Sequence, residues 1–205
     1  MQPLFFKRRR LAVAMLLTAL SATAAAAPQT FVLVPEATHV HWELRHFGTS
    51  TSRGRFDAVA GSVTLDREAH TASASITIDT GSISTGMRLF DGIVRGEQIL
   101  DAAANPQAYF IASRATFDGE RLATLTGEFT LRGISRPLTL RALQFGCRTD
   151  TGTVPPAASA PAAPHEVCGG DFEGEFQRSD FGITHSLPFV GDAVRLVVQV
   201  EGVRR

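Results

Sequence analysis

Three of the six histidines and the single tryptophan fall within one short stretch, residues 38–50, THVHWELRHFGTS. His39 and His41 form an H-x-H pair beside Glu43 and Arg45, and His46 follows. Imidazoles at that spacing suit zinc, given a third ligand from another strand, or a general base. Strand alternation sorts them differently. Val40, Trp42, Leu44 and His46 share one face, and His39, His41, Glu43 and Arg45 share the other. The apolar set is expected to point inward, which leaves His39 and His41 on the solvent side, and no metal site is assigned. His46 alone joins the apolar face, near the strand end announced by Gly48.

The two cysteines, Cys147 and Cys168, flank RTDTGTVPPAASAPAAPHEV, a stretch dominated by Ala and Pro after its first few residues. Such a composition buries little apolar surface and reads as an exposed loop insertion over 147–168. In an oxidising compartment, two cysteines around a loop are read most simply as a disulfide clamp. A redox couple lacks CxxC spacing, and a metal pair has only His165 nearby.

The compartment follows from the first residues. MQPLFFKRRR ends on four cations, and LAVAMLLTALSATAAAA follows, apolar and then rich in small residues. This pattern reads as a secretory signal peptide over residues 1–26, cleaved near Ala26. The apolar core, about Leu11 to Leu20, is shorter than the ~20 residues of a membrane span, and no cysteine follows it to carry a lipid anchor. The expectation is an exported protein with no stable membrane anchor and one domain over 28–205. Of the 20 cations and 20 anions of the whole chain, Lys7, Arg8, Arg9 and Arg10 leave with the signal. The remaining 16 cations face 20 anions, a net charge of −4, which argues against a nucleic-acid partner.

The elements that must position these residues are strands. SVTLD (62–66), SASITID (73–79), TLTGEFTLRG (124–133), RPLTLRAL (136–143), DFEGEFQRSDFG (171–182) and AVRLVVQVEG (193–202) all alternate between apolar and polar residues. Helical spacing is nearly absent, apart from a short insert around 86–104. The fold class is therefore all-β, a sandwich or closed antiparallel barrel, in which closure removes exposed edges. The inward positions are Val40, Trp42 and Leu44 in the first stretch, Phe56 after it, then Val63 and Leu65, and Ile76 and Ile78. They continue with Phe129 and Leu131, Leu138 and Leu140, Phe172 and Phe176, and finally Val194, Leu196, Val198 and Val200. Gly127 and Gly174, small and inward, are expected to leave room among them.

In order and spacing, seven fragments resemble the YceI-like family of exported, lipocalin-like, lipid- or polyisoprenoid-binding bacterial proteins. They are VHWELRHFGTSTSRGRF (40–56), AGSVTLD (60–66), ASITIDTGSISTG (74–86), NPQAYF (105–110), LTGEFTLRGISRPLTL (125–140), RSDFGI (178–183) and VGDAVRLVVQVEG (190–202). Two departures stand out: Ala37 replaces a frequent histidine, and Asp91-Gly92-Ile93-Val94-Arg95 lacks the histidine of the family's Asp-x-His-Leu-Arg pattern. The resemblance implies an extended eight-stranded antiparallel barrel that carries an isoprenoid or quinone-like tail without catalysis. The alternatives are a filled barrel acting as a stress or interaction protein, and a metal-dependent or lipid-modifying enzyme. No G-x-S-x-G elbow, H-E-x-x-H or phosphate-cradling loop is present. Head-group candidates are His46, Asp91, Arg95, Arg178 and Asp180, which flank turns or the insert. For Arg178 and Asp180 the competing role is to fix the RSDFG corner. No cofactor is expected, and a homodimer is left open.

Overall fold

Alternating Thr, Val, Phe and charged residues build a wall that is apolar on one side only. The computed structural model describes residues 27–151 and 164–205. Its strands are β1 (Gln29–Leu33), β2 (His39–His46), β3 (Ser50–Phe56), β4 (Val59–Asp66), β5 (Thr71–Asp79) and β6 (Ile83–Ser84). After helix α1 (Arg88–Arg95) come β7 (Gln107–Asp118), β8 (Arg121–Leu131), β9 (Ile134–Asp150), β10 (His165–Gln177) and β11 (Val190–Arg204). The expected signal segment, 1–26, and residues 152–163 of the Pro/Ala stretch lie outside the described residues.

The neighbour order β1-β4-β5-β7-β8-β9-β10-β11, with β11 pairing back to β1, closes an eight-stranded antiparallel barrel. The same sheet also runs from β11 through β2 and β3 to β6. One edge of β11 holds both partners: Leu196 opposes Trp42 and Val198 opposes Val40 of β2, while Val203 opposes Val32 of β1. Thus β1 and β2 are two lengths of one wall, β3 and β4 of the next, and β5 and β6 of a third. Two fully buried threonines seal two of the three breaks. The Thr38 hydroxyl donates to the Glu201 carbonyl at 3.3 Å, and that of Thr80 donates to the Asn105 carbonyl at 2.7 Å.

Several boundaries differ from the sequence reading. The alternation of 171–182 ends at Gln177, and Arg178–Phe181 form a 3-10 turn closed by Gly182 at φ 73°. That of 124–133 ends at Leu131, because Arg132 (φ 51°) and Gly133 (φ 72°) make a two-residue hairpin turn. Gly127 does not open space: a Cβ there would collide with the Ile111 carbonyl, so the residue lets two backbones approach. At Gly174 the room is already taken by Leu140 and Leu138 side chains. The helical insert is shorter than 86–104, with α1 followed by turns.

Cys147 and Cys168 are bonded and oppose each other across the β9–β10 ladder. The ladder continues to Asp150 and His165, so strands occupy both ends of the expected loop. Outside the barrel, an ion-pair ribbon crosses five adjacent strands: Arg53 to Glu43 (2.8 Å), Glu43 to Arg195 (3.1 Å), Arg195 to Glu173 (2.9 Å), and Glu173 to Arg141. The hydrogen bond from Arg53 holds the Glu43 carboxyl below its usual range, and that from Arg195 does the same for Glu173.

Two outcomes are expected. Replacing both cysteines by serine should lower stability by roughly 3 kcal/mol, the chain-entropy figure for a loop of about 20 residues, as read from urea midpoints. The ribbon's contribution should be complete above pH 4.5, the ordinary glutamate value, and disappear as pH falls through the depressed folded values. The melting-temperature gap between wild type and Arg195→Ala should therefore be present at pH 7, shrink in acid, and shrink in high salt. A gap independent of both would show that the arginine stem, rather than its charge, stabilises the wall.

Candidate ligand-binding site

Alternation on β11 points Val194, Leu196, Val198 and Val200 into the barrel, and these residues set out two apolar chambers end to end. The larger, about 300 Å³, is walled by β11 from Val190 to Leu196; the smaller, about 70 Å³, by Val198 to Gly202. Val40 lies in both walls, so the chambers meet at its side chain.

Trp42 and Leu44 of β2, Phe56 of β3 and Ile78 of β5 line the large chamber, as do Phe129 and Leu131 of β8, Phe176 of β10 and Leu196 of β11. Val63, Leu65, Ile76, Leu140, Phe172 and Val198 line the small one. Leu138, expected inward, is buried in the core and lines neither chamber. The Trp42 ring lies over Gly54, where an added Cβ would sit 2.5 Å from Trp42 Cζ2. The opposing strand must therefore carry glycine at that place.

A second set of wall residues comes from outside the strands. Phe90, Ile93 and Val94 of α1 close one side of the large chamber, helped by Ile99 and Leu100. Phe47 follows β2, and Ile183, His185 and Ser186 precede β11. The candidates expected in the insert were the charged Asp91 and Arg95, not these apolar residues. The spacing of residues 90, 93 and 94 is one helical face and was the available signal.

The polar candidates separate by position. His46 lines the large chamber and packs edge-on against Phe47, with ring centres 4.6 Å apart. Arg178 also reaches its wall and is 5% exposed. Its Nε donates to the Gly191 carbonyl (2.8 Å), Nη1 to Ile183 (3.0 Å) and Nη2 to Val190 (2.9 Å). Burial lowers the proton affinity of this guanidinium, and the charge of Asp192 opposes that shift. Its fork joins the corner to the start of β11. That seats Phe181 against Phe129 and Phe176, with centres 5.5 and 5.2 Å away.

Asp91 and Arg95 stand outside both walls. The Asp91 carboxylate accepts the Thr85 hydroxyl at 2.7 Å and amide at 2.6 Å, which depress its pKa, and Arg95 bonds the Asp91 and Gly81 carbonyls. Together they tie α1 to the segment before it. Asp180 is exposed. His39 and His41 lie on the outer face, 6.1 Å apart edge to face. Among the described residues, the trio with metal-ligand proximity is Cys147, Glu166 and Cys168, and its thiols are consumed by the disulfide.

Comparison with known proteins places this architecture among relatives. The YceI-like domain family matches residues 31–202. The UPF0312 protein of Enterobacter sp. strain 638 is 32% identical over 97% of this chain and 98% of its own length. Protein YceI of Salmonella arizonae is 31% identical over 81% of each. Among solved structures, Burkholderia cenocepacia BcnA superposes with a TM-score of 0.62 at 20% identity, covering 82% of this chain and 98% of its own. A polyisoprenoid binding domain from Saccharophagus degradans gives 0.58 at 13% identity, covering 85% and 98%.

Arg178 provides the test of how this site is held. Arg178→Met would strip three carbonyls of their donor, at about 1–3 kcal/mol for each buried group left unpaired. Stability should fall by at least about 2 kcal/mol in urea titration, and Arg178→Lys should not restore it, because an ammonium lacks the planar fork. An unchanged midpoint for the methionine variant would remove the pinning role.

Proposed function

The chain belongs to the YceI-like domain family, and from that membership and the cavity we propose that it holds a long isoprenoid tail, of polyprenyl or quinone type, inside the barrel. The observation that carries the proposal is the pair of apolar chambers meeting at Val40. A surface lined by Trp42, Leu44, Phe56, Ile78 and Phe129 offers a tail dispersion and dryness with few polar groups to satisfy. Leaving so much apolar surface without packing partners forfeits dispersion contacts, which weighs against a barrel built only to be filled by itself. The Saccharophagus degradans neighbour is described as a polyisoprenoid binding domain, which agrees with this chemistry.

Magnitudes select the length of the guest. A five-carbon prenyl unit offers on the order of 4 kcal/mol gross on burial, against perhaps 4–15 kcal/mol for lost translation, rotation and chain freedom. Several units must enter before binding becomes useful. The large chamber takes the first of them and the small one receives the end. Selection of the head group falls to His46, Arg178 and His185 at the polar part of the wall.

The role we propose is carriage rather than catalysis, in the periplasm after export by the segment 1–26. Trp42, the only tryptophan, lines the large chamber and reports its occupancy directly. Titration with prenyl compounds of increasing length should quench or shift its emission, with affinity rising over the first several units and then levelling. Ala108→Phe projects a ring into the large chamber from β7 and should weaken binding at least tenfold while the melting temperature holds. The ligand recovered by extraction should be chemically unchanged. Affinity that ignores tail length, or an altered product, would defeat the reading.

A further inference from the structure

The mouth of the large chamber is identified by residues that both wall it and face solvent. Phe47 (59% exposed) and Ile93 (58%) do so, one in the turn after β2 and the other on α1. Each lip continues outward in apolar side chains. On the first, Phe189 (63% exposed) stacks on Phe47 with ring centres 5.9 Å apart, and the Phe47 amide donates to the Phe189 carbonyl at 2.7 Å. On the second, Leu89 (85% exposed) stands one helical turn from Ile93, and Met87 (64%) caps the same helix. Of the eight large hydrophobic side chains exposed among the described residues, five are these; Tyr109, Ile111 and Leu143 lie on the outer faces of β7 and β9. A rim this concentrated marks an interaction surface rather than scattered exposure.

Charge narrows the partner. Arg45 lies two residues before Phe47, and Arg88 lies between Met87 and Leu89; both are exposed. Neither takes part in an ion pair among the described residues, whereas Arg53, Arg141 and Arg195 on the barrel wall are all paired. The nearby acids are largely spoken for: Asp91 is buried against Thr85, and Asp192 accepts the amide and hydroxyl of Ser179. Glu97, just past the helix, and Asp180, at the corner beside Arg178, are the exposed exceptions. Apolar side chains interleaved with unpaired arginines on two facing lips match the boundary of an anionic bilayer, where the tips enter the acyl region and the guanidiniums meet phosphate.

We propose that this rim docks the barrel reversibly on anionic lipid bilayers, so that a tail passes between membrane and chamber without crossing water. The proposal deepens the carrier reading and rests on it for the identity of the cargo, but docking itself is separately measurable. Leu89, Met87 and Phe189 line neither chamber, so they can be changed without touching the tail's binding surface.

Flotation with ligand-free vesicles of phosphatidylglycerol and phosphatidylethanolamine, compared with phosphatidylcholine alone, tests it. Wild-type protein should partition onto the anionic vesicles at low salt and dissociate as salt is raised. The triple variant Met87→Ser, Leu89→Ser, Phe189→Ser should lose at least tenfold in partitioning and slow tail uptake from vesicles, while Trp42 emission shows unchanged affinity for a soluble prenyl probe of several units. Arg45→Glu with Arg88→Glu should abolish the preference for anionic lipid. No flotation of wild type, or flotation of the triple variant equal to it, overturns the proposal. So does light scattering that finds a dimer which the triple variant dissolves, since the rim would then be an interface between two copies. Flotation without any response of Trp42 to prenyl probes leaves docking in place and sinks the carrier reading instead.

Discussion

One edge of the 15-residue strand β11 must satisfy its backbone groups with two shorter partners, and the interval between those partners shapes the rest of the barrel. A buried polar group left unpaired is expensive, so the interval cannot simply be a gap. It falls at Glu201, whose carbonyl accepts the Val34 amide at 2.8 Å and the Thr38 hydroxyl at 3.3 Å. Threonine suits this place because one hydroxyl reaches a backbone group while its methyl stays in the apolar interior. The adjoining wall breaks between Phe56 and Val59, and the third at Thr80–Ser82, where Thr80 plays the same part toward Asn105 and Pro106.

Three broken walls beside five continuous ones give the barrel two different ends. At the β1–β4 end, walls close on all sides, and Val63, Leu65, Phe172 and Leu140 leave only the small chamber. At the β2–β3–β6 end the sheet runs out at two-residue β6, and α1 supplies the wall that a strand does not. The larger space and its opening therefore sit where strand pairing stops. The disulfide lies at the other end, where Cys168 borders the small chamber, so it braces the walls remote from the opening.

Alternation made the inward face of β2, β4, β5, β8, β10 and β11 legible, because one buried face imposes a period of two on the residues that carry it. It failed on β7, QAYFIASRATFD, for a physical reason. The buried residues there are Ala108, Phe110 and Ala112, while Tyr109 and Ile111 are exposed, so polarity does not track the pleat. It failed on β3 because Gly54 must be small beneath the Trp42 ring, and Ser52 is polar though it faces the chamber. The mouth was hardest to see. His46 and Arg178 were found by position near turns, but the apolar lips come from a helix and two loops, whose meeting depends on closure of the sheet.

The opening histidine stretch shows how the fold assigns chemistry. Pleating places His39 and His41 on the outer face, where both are half-buried, and carries His46 inside only at the last residue of β2, where the apolar face reaches the mouth. Deeper charge would be costly without a partner, and the wall below His46 holds none from β2. Arg178 is the deliberate exception. Its three bonds go to neutral carbonyls, and Asp192, itself engaged with Ser179, acts on it through its charge. A guanidinium held this way stands at the wall of the large chamber while spending its strongest donors on the corner. For the tail proposed above, a cation at this wall would favour an electron-rich oxygen or an anion as head group.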